Sequence, residues 1–324
     1  MLTLNDYFKQ SKDPMQKGLI ADLLRYSDLM KIVPIDSVKA LRVSATRWQT
    51  MPSVAFRKYG GGYTESSGTT EEFTETLALL GGDVKFDRLA NVGDFIEDPV
   101  VTQMNMKAKA MAFKFNDSLI NGDHAVDADG FEGLKKRVSN MPSRQTIWLD
   151  ASANGTGASL KVLASDANEQ TFLDALHKAI KRVDGATHAL CNEDTQLGLG
   201  QVLRRLKLNT TMTDAYDHKW DTFNNVPLID VGLKSDKSTE IITNTEAVAD
   251  ATATSMYFVR FDTDDGVRAI DLKGGGGPNV YDPLKGGEME AGPQKLRRID
   301  WPVGLFHKSQ YTICRVAGFK MAAA

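Results

Sequence analysis

Two strand-like segments on either side of a glycine-rich tip constrain this chain more than any other feature. Residues 41–59 ("LRVSATRWQTMPSVAFRKY") and 71–89 ("EEFTETLALLGGDVKFDRL") are rich in valine, threonine, leucine and aromatic residues, as strands are. Between them lies "AFRKYGGGYTESSGT", whose three consecutive glycines permit a turn. The pattern predicts two long antiparallel strands joined by an extended tip.

Such a ribbon is too long for a domain of this size to cover. Each arm of about 12 residues would extend about 40 Å at about 3.3 Å per residue, and an isolated two-stranded ribbon is only marginally stable in water. Its apolar residues therefore need another surface, and we expect a second subunit to supply it. These residues are Val43, Trp48, Val54, Phe56, Phe73, Leu77 and Leu79.

The tip is predicted to contact a neighbouring subunit. Tyrosine offers the large amphipathic contact area that is enriched at interfaces, and the charged residues of the tip offer complementary charge. The glycines would let the tip turn and change shape as subunits move. The candidate contact residues are Trp48, Phe56, Arg57, Lys58, Tyr59, Gly60, Gly61, Gly62, Tyr63 and Glu65.

The composition is that of a soluble globular protein. Of 324 residues, 42% are hydrophobic and 25% are charged. The formal net charge of -3 does not indicate a protein whose main role is to neutralise phosphates. The N-terminus lacks a signal-peptide pattern, and no apolar run is long enough to span a membrane. We expect a chain that stays in the cytoplasm and contacts no membrane.

One long helix is predicted after the ribbon. Asp98 is suited to cap its N-terminus and Pro99 to occupy its first turn, while Asn121 and Gly122 are stop signals. At about 1.5 Å per residue, a helix of about 23 residues is about 35 Å long. Its apolar stripe comprises Val101, Met104, Ala108, Met111, Phe115 and Leu119.

The segments on either side of this helix and hairpin predict an α+β fold. Residues 1–40 are interpreted as an arm with one helix, which Pro34 ends. Beyond residue 166, helix and strand signals alternate, and no internal repeat is visible. "HALC" predicts a short buried strand, and the following Asn192 is suited to cap the next helix.

Two further strands are predicted closer to the C-terminus. "VPLIDVG" and "SMYFVRF" have the composition of strands. Asp265 and Gly266 form a favourable turn pair, which predicts a hairpin from "YFVRF" into "VRAIDL".

Patterns that support catalysis, a cofactor or a metal are missing. The sequence has no Walker A loop, and "LGLGQVL" and "GGGGPN" do not match the dinucleotide fingerprint. Cys191 lacks an identifiable base partner, and Asp262, Asp264 and Asp265 lack the spacing of a calcium loop. We therefore expect no enzyme, no cofactor and no metal. The histidines, which do not pair at metal-ligand spacing, are His124, His177, His188, His218 and His307.

The order of these parts resembles the major capsid proteins of tailed bacteriophages, whose Hong Kong phage-type fold is shared with encapsulins. "FNDSLINGD" followed by "DGFEGL" looks like the family's spine helix and the loop after it. "HALCNEDTQLGL" is similar to a strand and capped helix of its axial domain, and "NNVPLIDVG" to its short central strand. "SMYFVRFDTDDGVRAIDL" resembles the hairpin that leads back to the peripheral domain.

The resemblance implies the α+β capsid fold and a division of the chain. The long hairpin, or E-loop, and the N-terminal arm would reach across neighbouring subunits. Residues 301–319 would join the spine helix in the peripheral domain. The implied parts are an arm (1–40), the E-loop (41–92), the peripheral domain with the spine helix (93–168), the axial domain (169–270) and a return into the peripheral domain (271–324).

It also implies a structural function. Copies would form hexamers and pentamers of an icosahedral shell, the head of a tailed phage, which is assembled in the host cytoplasm and makes non-specific contact with packaged double-stranded DNA. Because fewer than fifty residues precede the hairpin, we expect a separate scaffolding protein or a chain already processed. A portal is a further implied partner, and a decoration protein is left open.

Two other functions remain open, and one covalent reaction known in the family needs to be considered. The alternatives are an encapsulin-type nanocompartment shell and a soluble α+β enzyme. Some family members join subunits by an isopeptide bond between a loop lysine and an asparagine. Lys58 lies near the tip, but beside Arg57 we expect an exposed lysine without a cross-link.

Overall fold

Helices and strands are mixed along the described chain, which confirms the α+β prediction. The computed structural model describes residues 3–91, 98–208, 210–213, 219–246, 252–272, 277–290 and 292–322. The helices are α1 (Leu4–Gln10), α2 (Pro14–Tyr26), α3 (Leu29–Ile32), α4 (Pro99–Asn121), α5 (Leu134–Ser139), α6 (Asp166–Arg182) and α7 (Glu193–Arg205).

The strands pair into three sheets within the described residues. They are β1 (Ile35–Val38), β2 (Arg42–Thr50), β3 (Thr69–Thr76), β4 (Ala78–Asp87), β5 (Thr146–Trp148), β6 (Leu160–Lys161), β7 (His188–Cys191), β8 (Thr210–Thr213), β9 (Lys219–Phe223), β10 (Val226–Asp230), β11 (Thr254–Val259), β12 (Val267–Leu272), β13 (Asn279–Tyr281), β14 (Gln294–His307) and β15 (Ile313–Lys320).

The long helix α4 has the predicted bounds because its capping residues act locally. The Asp98 side chain accepts a hydrogen bond from the Val100 amide at 2.8 Å, and Pro99 occupies the first turn. Gly122 follows the last turn, and its amide donates to the Ser118 carbonyl at 3.0 Å. Of the predicted apolar stripe, the members that lie in the core are Ala108, Met111, Phe115 and Leu119.

The first sheet packs against α4. Its order is β1-β12-β14-β13, with β4 also paired antiparallel to β14. Trp301 of β14 is fully buried and stacks on Phe115 of α4 with ring centroids 5.3 Å apart. This sheet and α4 form the body from which the predicted hairpin projects.

The second sheet has the order β5-β15-β11-β7-β10-β9-β8, with β6 also paired to β15. Helix α6 packs on β15 through Phe172 and Phe319, whose ring centroids are 4.8 Å apart. The predicted buried strand is β7, and the Asn192 side chain accepts from the Thr195 amide at 3.1 Å, so it caps α7. Both local predictions are confirmed.

The N-terminal arm differs from its prediction. It holds three helices rather than one, because Asp13 caps a second helix by accepting from the Met15 amide at 3.0 Å. Leu4, Ile20 and Leu23 are fully buried in the core that contains α4. The described arm residues therefore pack on their own chain, and contact of the arm with a neighbouring subunit stays a prediction.

The chain crosses between the two large sheets twice near its C-terminus. Strands β11 and β12 were expected to form a hairpin, but β11 pairs with β7 and β15 while β12 pairs with β1 and β14. That hairpin prediction is wrong, although the turn closes through a 2.8 Å bond from the Val267 amide to the Arg260 carbonyl.

The second crossing lies between β14 and β15, within residues 301–319. Strand β14 joins the sheet on the spine helix, whereas β15 joins the second sheet. The boundary expected at residues 92 and 93 lies outside the described residues. The five-part division itself stays a prediction.

Candidate subunit-contact site

The predicted ribbon exists but is shorter than expected. Strands β2 and β3 pair antiparallel from Arg42 opposite Thr76 to Trp48 opposite Thr70. The second predicted strand breaks at Leu77, after which β4 pairs with β14 instead. Glycine permits this close pairing, because a Cβ on Gly81 would lie 2.1 Å from the Ile299 carbonyl oxygen. The free ribbon is therefore about 30 Å long at about 3.4 Å per residue.

The two faces of the hairpin differ in composition. Side chains alternate along each strand, so that one face carries half-buried residues and the other carries exposed residues, most of them serine and threonine. Phe73 on the half-buried face packs on Phe306 of β14, with ring centroids 5.4 Å apart. The body of the same chain therefore covers this face near its base.

This packing corrects part of the prediction about uncovered apolar residues. Val43, Phe73 and Leu77 are half-buried within their own chain. The residues that remain exposed are Trp48, Val54, Phe56 and Leu79. Leu79 lies on β4, but the other three lie toward the tip, so a second surface is needed there rather than along the whole ribbon.

An ion pair between a buried arginine and a half-buried glutamate connects the base of the hairpin to the body. Arg137 of α5 is 2% exposed, and its Nη1 and Nη2 donate to the two carboxylate oxygens of Glu75 at 2.6 and 2.9 Å. Nη2 also donates to the Leu305 carbonyl at 2.8 Å, and Nε donates to the Glu132 carbonyl at 2.9 Å. Each guanidinium nitrogen is thus engaged.

His307 completes this arrangement. Its Nδ1 lies 2.8 Å from Arg137 Nη1. Burial lowers the pKa of His307 well below its ordinary value, and the charges of Arg137 and Arg47 lower it further. The imidazole is therefore neutral, and Nδ1 accepts from the guanidinium. Sequence reasoning did not predict the contacts among Glu75, Arg137 and His307. The signal for them was that Glu75 lies two positions after Phe73, on the same face of the strand, where a charged residue needs a partner.

The tip, residues 51–68, contains neither helix nor strand and is exposed throughout. A turn forms where the Gly61 amide donates to the Lys58 carbonyl at 2.9 Å, and Gly60 has a positive φ of 80°. Arg57 donates to the Gly61 carbonyl at 3.1 Å, and its guanidinium lies 5.2 Å from the centre of the Tyr63 ring. The tip thus has a defined turn with a cation on an aromatic face.

Exposed aromatic rings are the main chemical property of the tip. Phe56 and Tyr59 are fully exposed, and Trp48 and Tyr63 are largely exposed. Clustered apolar exposure of this kind marks protein contact sites. The salt bridges within the described chain do not include Lys58 or Glu65, so their charges are available to a partner.

Groups that could support catalysis lie in structural settings. Burial raises the pKa of the Cys314 thiol to about 12 and raises that of Cys191 further, and a protonated thiol is a poor nucleophile. Asp262 pairs with Arg260 at 2.7 Å. His218 lies outside the described residues. In the described chain, no cluster of histidine, cysteine and carboxylate groups is arranged to hold a metal ion.

None of the described helices combines the length and the apolar content that crossing a bilayer requires.

Comparison with known proteins finds a matching family model and similar structures. A family model described as "Major capsid protein GP7" matches residues 42–162, which include the hairpin, α4 and α5. The holo-SrpI encapsulin complex from Synechococcus elongatus PCC 7942 has a TM-score of 0.62 at 14% identity, covering 91% of this chain and 88% of that one. No curated protein sequence matches the chain.

Two capsid structures give similar superpositions. The capsid of Cyanophage A-1(L) has a TM-score of 0.60 at 13% identity, covering 90% of this chain and 93% of that one. The capsid of a native GTA particle has a TM-score of 0.57 at 15% identity, covering 90% and 89%. The chain thus resembles the tailed-phage major capsid proteins, and it has the Hong Kong phage-type fold that they share with encapsulins.

Proposed function

We propose that this chain is the shell subunit of a tailed phage, whose copies form hexamers and pentamers around double-stranded DNA. The observation that carries the proposal is the aromatic tip on a projecting hairpin, which the chain itself leaves uncovered. The capsid fold supports it, because that fold is found in protein shells. The role is structural, and the site needs no reaction to perform it.

The area that the tip offers is sufficient for a subunit contact. A buried aromatic side chain contributes about 150–250 Å², so Trp48, Phe56, Tyr59 and Tyr63 together offer about 600–1,000 Å². A stable protein interface buries about 800 Å² on each partner. Arg57, Lys58 and Glu65 would form a charged rim that sets the register of the contact.

Contact with DNA in this proposal is weak and non-specific. Two lysines of the spine helix have partners within the chain, since Lys114 pairs with Asp127 at 3.0 Å and Lys109 lies 4.5 Å from the Tyr26 ring centre. A net charge of -3 also favours a shell that confines DNA without binding it tightly. The particle would form in the host cytoplasm and be released as a virion.

Partner proteins are part of the proposal. One similar structure is the procapsid of satellite phage P4, which includes the size determination (Sid) protein; its TM-score is 0.51 at 10% identity, covering 94% of this chain and 99% of that one. By analogy, a separate scaffolding protein would guide assembly of this chain, and a portal would occupy one vertex. A decoration protein on the finished shell is left open.

An encapsulin-type nanocompartment is the second candidate. The similarity to the SrpI encapsulin favours it, because that structure has the higher TM-score of those compared above. The two functions differ in contents, since one shell would hold DNA and the other a cargo protein.

Expression of the full chain, alone and with a candidate scaffolding protein, tests the proposal. We expect capsomers or megadalton particles on size exclusion and regular shells in negative-stain microscopy. Nuclease-protected DNA in shells purified from the native source supports the phage function, whereas a co-purifying protein cargo supports the nanocompartment. A small discrete oligomer with no particles under any assembly condition would overturn both.

A further inference from the structure

A cluster of polar side chains connects the base of the hairpin to the body. Glu75 on β3, Arg137 on α5 and His307 on β14 meet there, and we call these three residues the hairpin joint. They lie far apart in sequence: Arg137 follows Glu75 by 62 positions, and His307 follows Arg137 by 170. The joint therefore links three separate elements at one buried point.

Directional bonds between hairpin and body are concentrated at this joint. Among the described residues, the side-chain hydrogen bonds and salt bridges that connect β2 and β3 to the body all involve Glu75. The Arg47 to Glu71 pair and the Ser44 to Thr74 pair lie within the hairpin itself.

The other contacts of the described residues at the base do not involve side-chain hydrogen bonds. Phe73 packs on Phe306, and the Thr76 carbonyl passes 3.2 Å from where a Cβ on Gly304 would sit. Packing of this kind is roughly non-directional. The backbone continues from β3 through Leu77 into β4, which pairs with β14 from Ala78 onward, so the angle of the hairpin depends on bending at Leu77 and on the contacts of Glu75.

The guanidinium of Arg137 is suited to set that angle. Its planar fork matches the carboxylate of Glu75, and two parallel hydrogen bonds fix both distance and orientation. The fork is itself held by the Leu305 and Glu132 carbonyls and by His307. Because these partners belong to the body, the guanidinium fixes the orientation of Glu75 relative to the body.

We propose that Arg137 is a positioning residue for subunit contact: by holding Glu75, it fixes the direction in which the hairpin leaves the body and so the place where the tip meets its neighbour. The inference rests on the proposed function for its consequence in the shell. The hairpin acts as a lever, since β3 extends about 20 Å beyond Glu75 at about 3.4 Å per residue. A tilt of about 20° at the joint would move its far end by about 7 Å, more than the contact distance of about 4 Å between packed side chains.

A stability role alone makes a different prediction. Buried ion pairs are weak stabilisers, and replacing both partners by apolar residues is often neutral or stabilising. If the joint only stabilised the fold, an apolar pair would therefore leave the direction of the hairpin unchanged. If the joint positions the hairpin, the apolar pair would preserve the fold and lose the direction.

The direction can be measured on unassembled full-length subunits by pulsed electron spin resonance. Spin labels are attached at Thr70→Cys on the hairpin and Lys85→Cys on β4, both exposed, while the native Cys191 and Cys314 are buried. The perturbing variant is Glu75→Gln. The matched control is Glu71→Gln, the same change on the same strand at a more exposed ion pair with Arg47.

We expect one narrow distance distribution for the parent and for Glu71→Gln. We expect the Glu75→Gln distribution to shift or broaden by 5 Å or more. Identical distributions for the parent and Glu75→Gln would overturn the proposal. Equal broadening in Glu71→Gln would also overturn it, because the effect would then not belong to the joint.

A second variant covers the case in which Glu75→Gln does not fold. Glu75→Leu combined with Arg137→Met leaves no unpaired buried charge, so we expect the variant to fold, with some loss of stability because the Leu305 and Glu132 carbonyls and His307 lose their donor. We expect a broadened label distance and at least a tenfold lower yield of regular shells. A narrow, unshifted distance or a normal yield of regular shells from this variant would overturn the proposal.

The two readouts separate this inference from the proposed function. The label distance is measured on subunits, so it decides whether Arg137 sets the hairpin direction even if the parent chain forms no shells. Absence of shells from the parent would instead count against the proposed function.

Discussion

Replacing the two tip tyrosines tests the contact site most directly. In the variant Tyr59→Ser with Tyr63→Ser, we expect the isolated subunit to keep its stability, because Tyr59 is fully exposed and Tyr63 is largely exposed. The lost intramolecular interaction is the contact between Arg57 and the Tyr63 ring. An exposed cation–π contact contributes about 0.5–1 kcal/mol, which sets the limit on the change in unfolding free energy.

The effect on assembly should be much larger. Two buried tyrosines remove about 300–500 Å² from water, which at about 25 cal/mol per Å² sets a ceiling of about 7–12 kcal/mol. Buried area does not convert fully into affinity, because ordering and desolvation oppose it. Truncating interface aromatics commonly costs a few kcal/mol, so we expect about 2–4 kcal/mol for the pair. The dissociation constant of the contact would then rise about 30- to 1,000-fold.

Light scattering against subunit concentration measures this effect as the critical concentration for assembly, and thermal unfolding of unassembled subunits measures stability. The matched control is Tyr281→Ser with Tyr311→Ser, the same chemical change at two half-exposed tyrosines of the body. We expect the control to assemble near the parent's concentration. An unchanged critical concentration for the tip variant would show that the tip is only a solvent-exposed loop.

Three further changes have defined outcomes. Alanine at Gly60, Gly61 and Gly62 should leave the subunit folded but impair shells in microscopy, because alanine is strained at the positive φ of Gly60; normal particles would contradict this. Trp301→Ala removes a fully buried ring stacked on Phe115 and should cost about 3–5 kcal/mol in urea unfolding, whereas a cost under about 1 kcal/mol would show that the site collapses. Burial lowers the pKa of His307, so the free energy of unfolding should decrease as the pH is lowered below about 6.5, by at most about 1.4 kcal/mol per pH unit. His307→Gln should flatten that slope.

The sign of the His307 effect follows from proton binding in the two states. Below about pH 6.5 an unfolded histidine binds a proton, while the buried imidazole beside Arg137 does not. The unfolded state therefore binds more protons in this window, and its free energy falls relative to the native state as pH decreases. The stability contribution is fully present above pH 6.5 and is lost toward the folded-state pKa.

Elements that depend on neighbouring residues were predictable from the sequence. Helix α4 begins and ends where Asp98 and Gly122 place it, and Asn192 caps α7 as expected. Capping bonds join residues two or three positions apart, as from Asp98 to the Val100 amide. Such short-range bonds leave a sequence pattern that needs no knowledge of the fold.

Strand pairing was predictable only in part because it depends on distant residues. The break at Leu77 has no local signal, since β4 leaves the ribbon to pair with β14, more than two hundred positions away. Asp265 and Gly266 did predict a turn, but the partners of β11 and β12 decided that it would join two sheets instead of a hairpin. Composition locates a strand, and the rest of the fold selects its neighbours.

The candidate site likewise has one part that the sequence predicts and one part that depends on distant residues. Exposed aromatics at Phe56 and Tyr59 were recognisable because glycine and charge around them are incompatible with a core. The hairpin joint was missed because Glu75, Arg137 and His307 are brought together only by the folded chain. A charged residue that alternates with Phe73 on one strand face gave the available hint.

The two ends of the hairpin meet opposite physical demands of the proposed shell. Hexamers and pentamers place the same chain in two surroundings, so a contact must be aimed reproducibly yet tolerate small differences in angle. Arg137 meets the first demand, because a bidentate buried ion pair fixes orientation. The glycine turn at Gly60 meets the second, because it can change conformation at little steric cost. A monomeric protein has little use for a charged pair at the base of a hairpin or for exposed aromatic residues at its tip. Both features are explained if the base must be rigid and the tip must adapt to a neighbouring subunit.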